Sequence, residues 1–286
     1  KKSNKLDDVI TYFSKSIIPE LGVFIIASLL IFLNLGKVSL IPWDEAIYAK
    51  ISKNMIQTGD FVTQYWVPGK VWYEKPPLFM WLMAVSFKML GFTGFAAKLP
   101  GALAGLSSII LIFFFTIRYF GKTAGAIAAL SLATTIQYLF YARMAMTDVT
   151  CALFMTLALS IYYWRRFNNH LNILSILGTG IFIGLAVMTK GVVGLIPLAV
   201  IGLYEIYLLI TKQQPNFLKS VLNVFFILVI SALVFMPWHY RMFQLYGSNF
   251  LSNYIGYHVL ARATEGIENK EQPLYWYVII LKVSMR

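Results

Sequence analysis

The sequence predicts an all-α, polytopic membrane protein: a helical bundle with further helices at the membrane surface. Of its 286 residues, 59% are hydrophobic and only 13% are charged, whereas a soluble domain carries about a quarter charged residues. The apolar residues fall into runs long enough to cross a bilayer. Lipid is therefore the expected solvent for most side chains, and the net charge of +12 favours lipid phosphates over nucleic acid as its partner.

Several segments have the length and apolarity of a membrane span, which needs roughly 17–25 apolar residues. The predicted spans are 21–41, 98–117, 123–141, 149–164, 172–188, 192–210 and 218–238, and another apolar run begins near residue 274. Because no repeat, low-complexity tract or soluble linker is visible, we expect one domain over residues 1–286. The chain opens on Lys1 and closes inside an apolar run, so we expect a fragment of a longer protein.

Loop charges orient the predicted bundle, because lysine and arginine favour cytoplasmic loops. The alternate loops offer Arg143 and Lys190, and are expected outside together with the first long loop, 42–97. The loops expected inside hold, besides four lysines near the N-terminus, Arg118, Lys122, Arg165, Arg166, Lys212 and Lys219. This orientation requires that the 13-residue apolar segment 78–90 lies at the membrane surface, because a crossing there would invert every later loop.

Most carboxylates fall on the predicted outer side, which indicates a functional site at that interface. They are Asp44, Glu45, Asp60, Glu74, Asp148, Glu265, Glu268 and Glu271. Asp44 precedes an amphipathic stripe of Ile47, Ile51 and Met55, so it could cap a surface helix or act as a general base.

Two further motifs place cations on the same side. In Tyr73-Glu74-Lys75-Pro76-Pro77, the lysine either snorkels or binds a phosphate oxygen as a point charge. In the segment 143–148, Arg143 could pair with Asp148, or Asp148 could cap the next span. Trp238 and Tyr240 are expected to be interfacial anchors.

Four ordered strings, WDEAIYAKISKNMIQTGDF, YEKPPLFMWL, YARMAMTD and MTKG, resemble one family of membrane glycosyltransferases. These are the GT-C enzymes of the lipid A aminoarabinose transferase and protein O-mannosyltransferase type. The resemblance runs from about Trp43 to Arg262 and covers the N-terminal part of a family member, ahead of a C-terminal extracytoplasmic region. It implies a GT-C bundle that transfers a sugar from a polyprenyl-phosphate carrier.

 The implied acceptor is extracytoplasmic, such as a lipid A-like glycolipid, another glycan or a protein hydroxyl. The resemblance also implies that the anomeric carbon inverts during transfer. It implies that the enzyme lies in the bacterial inner membrane.

The resemblance also implies roles for individual residues. The predicted catalytic residues are Asp44, Glu45 and Asp148. The predicted ligands of the donor phosphate are Lys75, Arg143 and Lys190, and the predicted substrate-binding residues are Tyr48, Tyr73 and Glu74. His258 falls where aminoarabinose transferases place a histidine that shares a metal with the glutamate of the Glu-Lys-Pro motif. A divalent metal ion held by Glu74 and His258 is therefore the one candidate cofactor.

Two other classes of function stay open at this point. A transporter or flippase of lipid-linked sugars should carry acids within its spans and show repeated halves. Here the predicted spans lack acids apart from Glu205, and no repeat is visible. A non-catalytic lipid-binding subunit is the third class.

Overall fold

The computed structural model describes residues 18–67, 69–167, 172–213, 216–261 and 275–284. Nearly all of its regular structure is helical, which confirms the predicted all-α class. The helices are α1 (Ile18–Phe32), α2 (Asp44–Thr58), α3 (Leu78–Leu90), α4 (Gly94–Thr134), α5 (Ile136–Ala142), α6 (Thr147–Phe167), α7 (Ile173–Lys190), α8 (Ile196–Ile210), α9 (Phe217–Phe250) and α10 (Tyr275–Ser284). A 3-10 turn (Gly191–Leu195) joins α7 to α8, and a π-helical segment (Leu251–Ala261) continues α9. Strands β1 (Tyr65–Val67) and β2 (Lys70–Val71) pair antiparallel between α2 and α3.

Three helical stretches of the described chain are long and apolar enough to cross a membrane: Gly94–Thr134, Ile173–Ile210 and Phe217–Ala261. A fourth exists if Ile136–Ala142 and Thr147–Arg166, which meet at an angle of 106°, form one broken span. Each predicted span overlaps a helix, but the boundaries differ. Two pairs of predicted spans are joined, because the expected loops are short breaks at Gly121 (φ 84°) and Gly191 (φ 66°).

The break at Gly121 folds α4 back on itself. Beyond it, Ala133 shares a buried cluster with Ile109 of the first arm. A Cβ atom at Gly125 would lie only 2.6 Å from Ile117 Cγ1, so the arms touch close to the turn. The two arms are therefore antiparallel, as predicted for two successive spans.

Helices α7 and α9 approach closely through small residues on α7. A Cβ atom at Gly180 would lie 2.7 Å from Ile230 Cβ, and one at Gly184 would lie 2.5 Å from Val234 Cβ. Small residues spaced by four positions let two apolar helices pack backbone to backbone in lipid. This contact fixes α7, which ends at Lys190.

Helix α3 has the same 13 residues as the predicted surface segment. Its Phe79 and Met83 pack with Ile51 and Met55 of α2 in one buried cluster. Helix α4 starts beside the segment that precedes α2, because Lys98 Nζ donates to the Val38 carbonyl at 2.9 Å. Helix α3 therefore begins and ends at the same end of the bundle and does not cross it.

Charged pairs mark the opposite end. Glu20 of α1 pairs with Lys122 at 2.8 Å, beside the turn of α4. The buried Glu205 of α8 accepts from Arg166 Nε at 2.7 Å, and the Ser220 hydroxyl donates to the same carboxylate. Because α6 rises about 30 Å from its first to its last turn, this end lies far from the segment 143–148. The acids Glu265, Glu268 and Glu271 lie outside the described residues.

Candidate active site at one end of the bundle

Lys75 is the centre of the charged cluster at the α2–α3 end. Its ammonium group donates to the Tyr48 hydroxyl and lies 4.8 Å from the centroid of the Tyr48 ring. The Asp44 carboxylate is 3.9 Å from Lys75 Nζ. Only 16% of the Lys75 side chain is exposed, and Tyr48 is fully buried. The structure therefore brings Asp44, Tyr48 and Lys75 together.

Charges from three segments act on Lys75. Burial lowers the pKa of the Lys75 ammonium, while the Asp44 and Asp148 carboxylates oppose that shift. Lys190 lowers the same pKa further, and Glu74 raises it. Asp148 of α6 and Lys190 of α7 therefore lie close enough to the Glu-Lys-Pro motif to act on the charge of Lys75.

The phenol of Tyr48 responds to the same acids. Burial raises the pKa of the Tyr48 hydroxyl, and the Asp44, Asp148 and Glu74 carboxylates raise it further. Tyr48 therefore stays neutral and accepts the hydrogen bond from Lys75 as a hydroxyl.

Asp148 and Lys190 form the second ion pair of the site, with Lys190 Nζ 2.6 Å from Asp148 Oδ1. Asp148 lies in the first turn of α6, and Lys190 is the last residue of α7. About a third of each side chain is exposed, so a ligand can reach the pair. The sequence left open an ion pair between Asp148 and Arg143. That pairing is wrong, because Asp148 pairs with Lys190.

Arg143 instead binds the C-terminal end of α1. Its guanidinium donates to the carbonyls of Leu30 at 2.5 Å, Ile31 at 3.2 Å and Leu33 at 2.9 Å. A cation at a helix C-terminus satisfies free carbonyls and complements the helix dipole. These contacts end α1 at Phe32, so the predicted first span 21–41 was too long. A role for Arg143 at the donor phosphate stays a prediction.

Glu45 is turned away from Lys75 towards backbone amides. It is 1% exposed and accepts from the Ile41 and Ala145 N–H groups at 2.7 and 2.5 Å. Both oxygens are therefore used by main-chain donors, which does not suit the predicted catalytic role. The possible cap at Asp44 is also absent, since Trp43 is the N-cap residue and makes no side-chain capping bond.

The loop that carries Lys75 is held by residues that sequence reasoning missed. The buried Gln64 side chain donates to the Lys75 carbonyl at 2.6 Å, and the backbone carbonyl of Gln64 accepts from Trp72 N–H at 2.7 Å. Trp238 Nε1 donates to the Val62 carbonyl at 3.0 Å. Trp238 is 5% exposed, so the expected interfacial anchor is a buried support of this loop. Only the clustering of aromatics near residue 238 could have suggested it.

Tyr73 and Glu74 flank the lysine on different sides. The Tyr73 ring packs edge-on against Tyr246, with centroids 5.8 Å apart, and burial raises the pKa of its hydroxyl. Glu74 is half-buried, and its charge acts on both Lys75 and Tyr48. Their substrate-binding roles stay predictions.

A metal ion finds little support among the described side chains. His258 lies half-buried in the π-helical segment. No group of three or more His, Cys, Asp or Glu side chains that could hold a metal occurs in the part of the chain that the structure describes. The Glu74–His258 pair alone does not fit the ligand count of a protein metal site.

The residue after Lys190 lies in a close contact. Gly191 has φ 66°, and a Cβ atom there would lie 2.9 Å from the Tyr254 hydroxyl. That hydroxyl also meets His239 Nε2 at 3.1 Å. A glycine is therefore required at this close contact, where the left-handed backbone already disfavours other residues.

Comparisons with known proteins identify relatives of this chain. The family model described as dolichyl-phosphate-mannose-protein mannosyltransferase matches residues 74–240, more than half of the chain. An uncharacterised protein of Aquifex aeolicus is 27% identical over 246 residues, which cover 86% of this chain and 54% of the relative. An undecaprenyl phosphate-alpha-4-amino-4-deoxy-L-arabinose arabinosyl transferase of Aeromonas hydrophila is 30% identical over 168 residues, 57% of this chain and 30% of the relative.

A solved structure has the same fold. The crystal structure of ArnT from Cupriavidus metallidurans bound to undecaprenyl phosphate gives a TM-score of 0.80 at 24% identity, over 94% of this chain and 49% of that chain. The chain thus spans about half the length of these relatives. The match over residues 74–240 includes Lys75, Asp148 and Lys190. The chain belongs to the dolichyl-phosphate-mannose-protein mannosyltransferase family.

Proposed function

We propose that this chain carries the active site of a membrane glycosyltransferase that uses a polyprenyl-phosphate-linked sugar as donor. The observation that supports it most is the pair of lysines, Lys75 and Lys190, each next to an aspartate at one end of an apolar bundle. Two cations beside a lipid phase suit a phosphate that is attached to a lipid. The relatives named above support the same donor class.

The proposed reaction uses the donor phosphate as leaving group. The bond between the anomeric carbon and the phosphate oxygen breaks, and its electron pair leaves with the polyprenyl phosphate. Lys75 stabilises the developing negative charge, with Lys190 as a second cation. The acceptor oxygen forms the new bond from the opposite face, so the anomeric carbon inverts.

Asp44 has a role that depends on the acceptor. If the acceptor is a hydroxyl group, the Asp44 carboxylate takes its proton as the new bond forms. If the acceptor is a phosphate, no strong base is needed, and Asp44 orients the reacting groups. Asp148 holds Lys190 in place through the 2.6 Å ion pair.

We also propose that the site faces the outside of a bacterial inner membrane. The described cations Arg118, Lys122 and Arg166 belong to the opposite end of the bundle, where positive loops favour the cytoplasm. The loop 42–97 would then be the first extracytoplasmic loop, with α2 and α3 as juxtamembrane helices. A region beyond this chain would complete the acceptor site, because the relatives are about twice as long.

The test is a transfer assay with the purified full-length protein. Undecaprenyl-phosphate 4-amino-4-deoxy-L-arabinose is the first donor to try, because several relatives carry that name, and a polyprenyl-phosphate mannose is the second. Acceptors are lipid A, a glycan and a peptide with free hydroxyls, and products are identified by mass spectrometry. We expect a glycosylated acceptor together with free polyprenyl phosphate.

Two results of this assay would count against the proposal. Movement of intact donor across proteoliposomes without any cleavage would support a flippase. Donor binding with neither cleavage nor movement would support a non-catalytic lipid-binding subunit.

A further inference from the structure

Glu45 joins two segments that are far apart in sequence. Its Oε2 atom accepts from Ile41 N–H at 2.7 Å, just before α2, and its Oε1 atom accepts from Ala145 N–H at 2.5 Å, just before α6. Hydrogen bonds to an ionised carboxylate are stronger than neutral ones. With 1% exposure, water does not compete for these two bonds. Glu45 is therefore a bridge between the start of α2 and the start of α6.

The bridge has an acid of the site on each side. Asp44 is the residue directly before Glu45, and Asp148 follows Ala145 by three positions, in the first turn of α6. Asp44 and Asp148 both act on the charge of Lys75. Fixing Ala145 relative to Glu45 therefore fixes the two carboxylates relative to the same ammonium group.

The backbone beside the bridge needs this support. Trp43, between Ile41 and Glu45, has φ 93° and ψ −119°, a conformation that non-glycine residues rarely adopt. Such a residue persists only where its surroundings hold it. The bond from Ile41 N–H to Glu45 closes the turn around Trp43 and stabilises its conformation.

We propose that Glu45 is a positioning residue, which sets the spacing between Asp44 and Asp148 by binding the Ile41 and Ala145 amides. This rests on the proposed function only where it concerns the rate of sugar transfer. The bridge itself can be measured in the absence of any substrate.

The first test is hydrogen–deuterium exchange of the purified full-length protein. In the wild type, the Ile41 and Ala145 amides should exchange slowly although neither lies in a helix. In Glu45→Gln, one acceptor oxygen becomes an NH₂ donor that faces a backbone donor. Exchange of segments 38–43 and 143–148 should then accelerate by about tenfold or more.

Asp60→Asn is the matched control. Asp60 Oδ1 also accepts from two amides, Val62 and Thr63 at 2.9 Å each, but both lie in its own loop. This variant should leave segment 143–148 unchanged. Unprotected Ile41 and Ala145 amides in the wild type, or segment 143–148 unaffected by Glu45→Gln, would overturn the proposal.

Kinetics separate positioning from direct catalysis. For a positioning residue, Glu45→Gln should lower kcat by about 10- to 100-fold, and the pH profile and the donor KM should stay those of the wild type. If the acidic limb of the pH–rate profile were lost in Glu45→Gln, Glu45 would be identified as a proton acceptor, and this would overturn the positioning role. Glu45→Asp, which keeps the charge but is one methylene shorter, is the second variant should Glu45→Gln not fold. A wild type without transfer activity would refute the proposed function, while the exchange test would still decide on the bridge.

Discussion

At the scale of single residues, the geometry of Lys75 leaves its ammonium group able to donate a hydrogen bond to a ligand. The ammonium group has three donor hydrogens, and its polar side-chain contacts among the described residues are the Tyr48 hydroxyl and an Asp44 carboxylate at 3.9 Å. That distance is longer than a strong charge-assisted hydrogen bond. A phosphate oxygen can therefore take a direct bond from Lys75 while Asp44 stays nearby.

The shifted pKa of Lys75 predicts how donor binding depends on pH. Because burial lowers this pKa, the ammonium group loses its proton as the pH rises through a value below that of a free lysine. Undecaprenyl phosphate should therefore bind more weakly on the alkaline side. Asp44 raises the pKa of Lys75, so Asp44→Asn should move this loss to lower pH.

The measurement is the dissociation constant of undecaprenyl phosphate between about pH 7 and 10. Asp60→Asn serves as control, because Asp60 is not among the charges that shift Lys75. If the affinity for undecaprenyl phosphate fell at the same alkaline pH in Asp44→Asn and in the wild type, the assignment of Asp44 as the neighbour of Lys75 would be contradicted.

The sequence indicates which of these residues lie near one another only in part. Asp44 and Lys75 were grouped by their motifs, and the structure brings them together. Arg143 and Lys190 were both expected at the phosphate, yet Arg143 binds the end of α1. In the sequence, each is a single cation in a predicted loop. The sequence does not show which carboxylate or carbonyl lies within hydrogen-bond distance of it after folding.

At the scale of elements, the packing of α7 against α9 positions Lys190. Gly184→Ala would place a Cβ atom 2.5 Å from Val234 Cβ and 2.8 Å from the Ser231 carbonyl oxygen. Overpacking of this kind costs about 1–3 kcal/mol. We expect a lower Tm in detergent, and a lower affinity for undecaprenyl phosphate.

Gly202→Ala in α8 is the matched substitution. No atom lies within 4 Å of a Cβ atom built there, and alanine is favoured over glycine in a helix by about 1 kcal/mol. Its Tm should equal or exceed that of the wild type. Equal Tm values for the two variants would contradict the close contact of α7 and α9.

The bounds of helix α3 agree with the predicted segment 78–90, because proline precedes it and glycine follows it. Its length of 13 residues is too short for a span. The end of α1 was not predictable, since residues 33–41 are apolar enough to continue a span. Tertiary contacts from Arg143 decide that boundary.

At the scale of the whole molecule, the proposed single site requires that α3 stays on one side of the membrane. Cys151 is buried, so a Cys151→Ala background permits single cysteines elsewhere. Lys50→Cys and Phe92→Cys lie before and after α3 and are exposed, and the exposed Gln213→Cys lies between α8 and α9. A membrane-impermeant maleimide should label the first two from one side and the third from the other. Labelling of Lys50→Cys and Phe92→Cys from opposite sides would show that α3 crosses the membrane, and this would contradict a single site on one side.

The central claim is that Lys75 stabilises a phosphate leaving group in a sugar transfer. Its most direct test is the single-turnover transfer rate of the full-length protein as wild type, Lys75→Ala and Lys70→Ala. Lys70 is an exposed lysine of the same loop, so its loss changes the charge without touching the site. We predict a fall of about 10²–10³-fold for Lys75→Ala and a rate equal to the wild type for Lys70→Ala. A Lys75→Ala rate close to that of the wild type, or an equal fall in both variants, would contradict the claim.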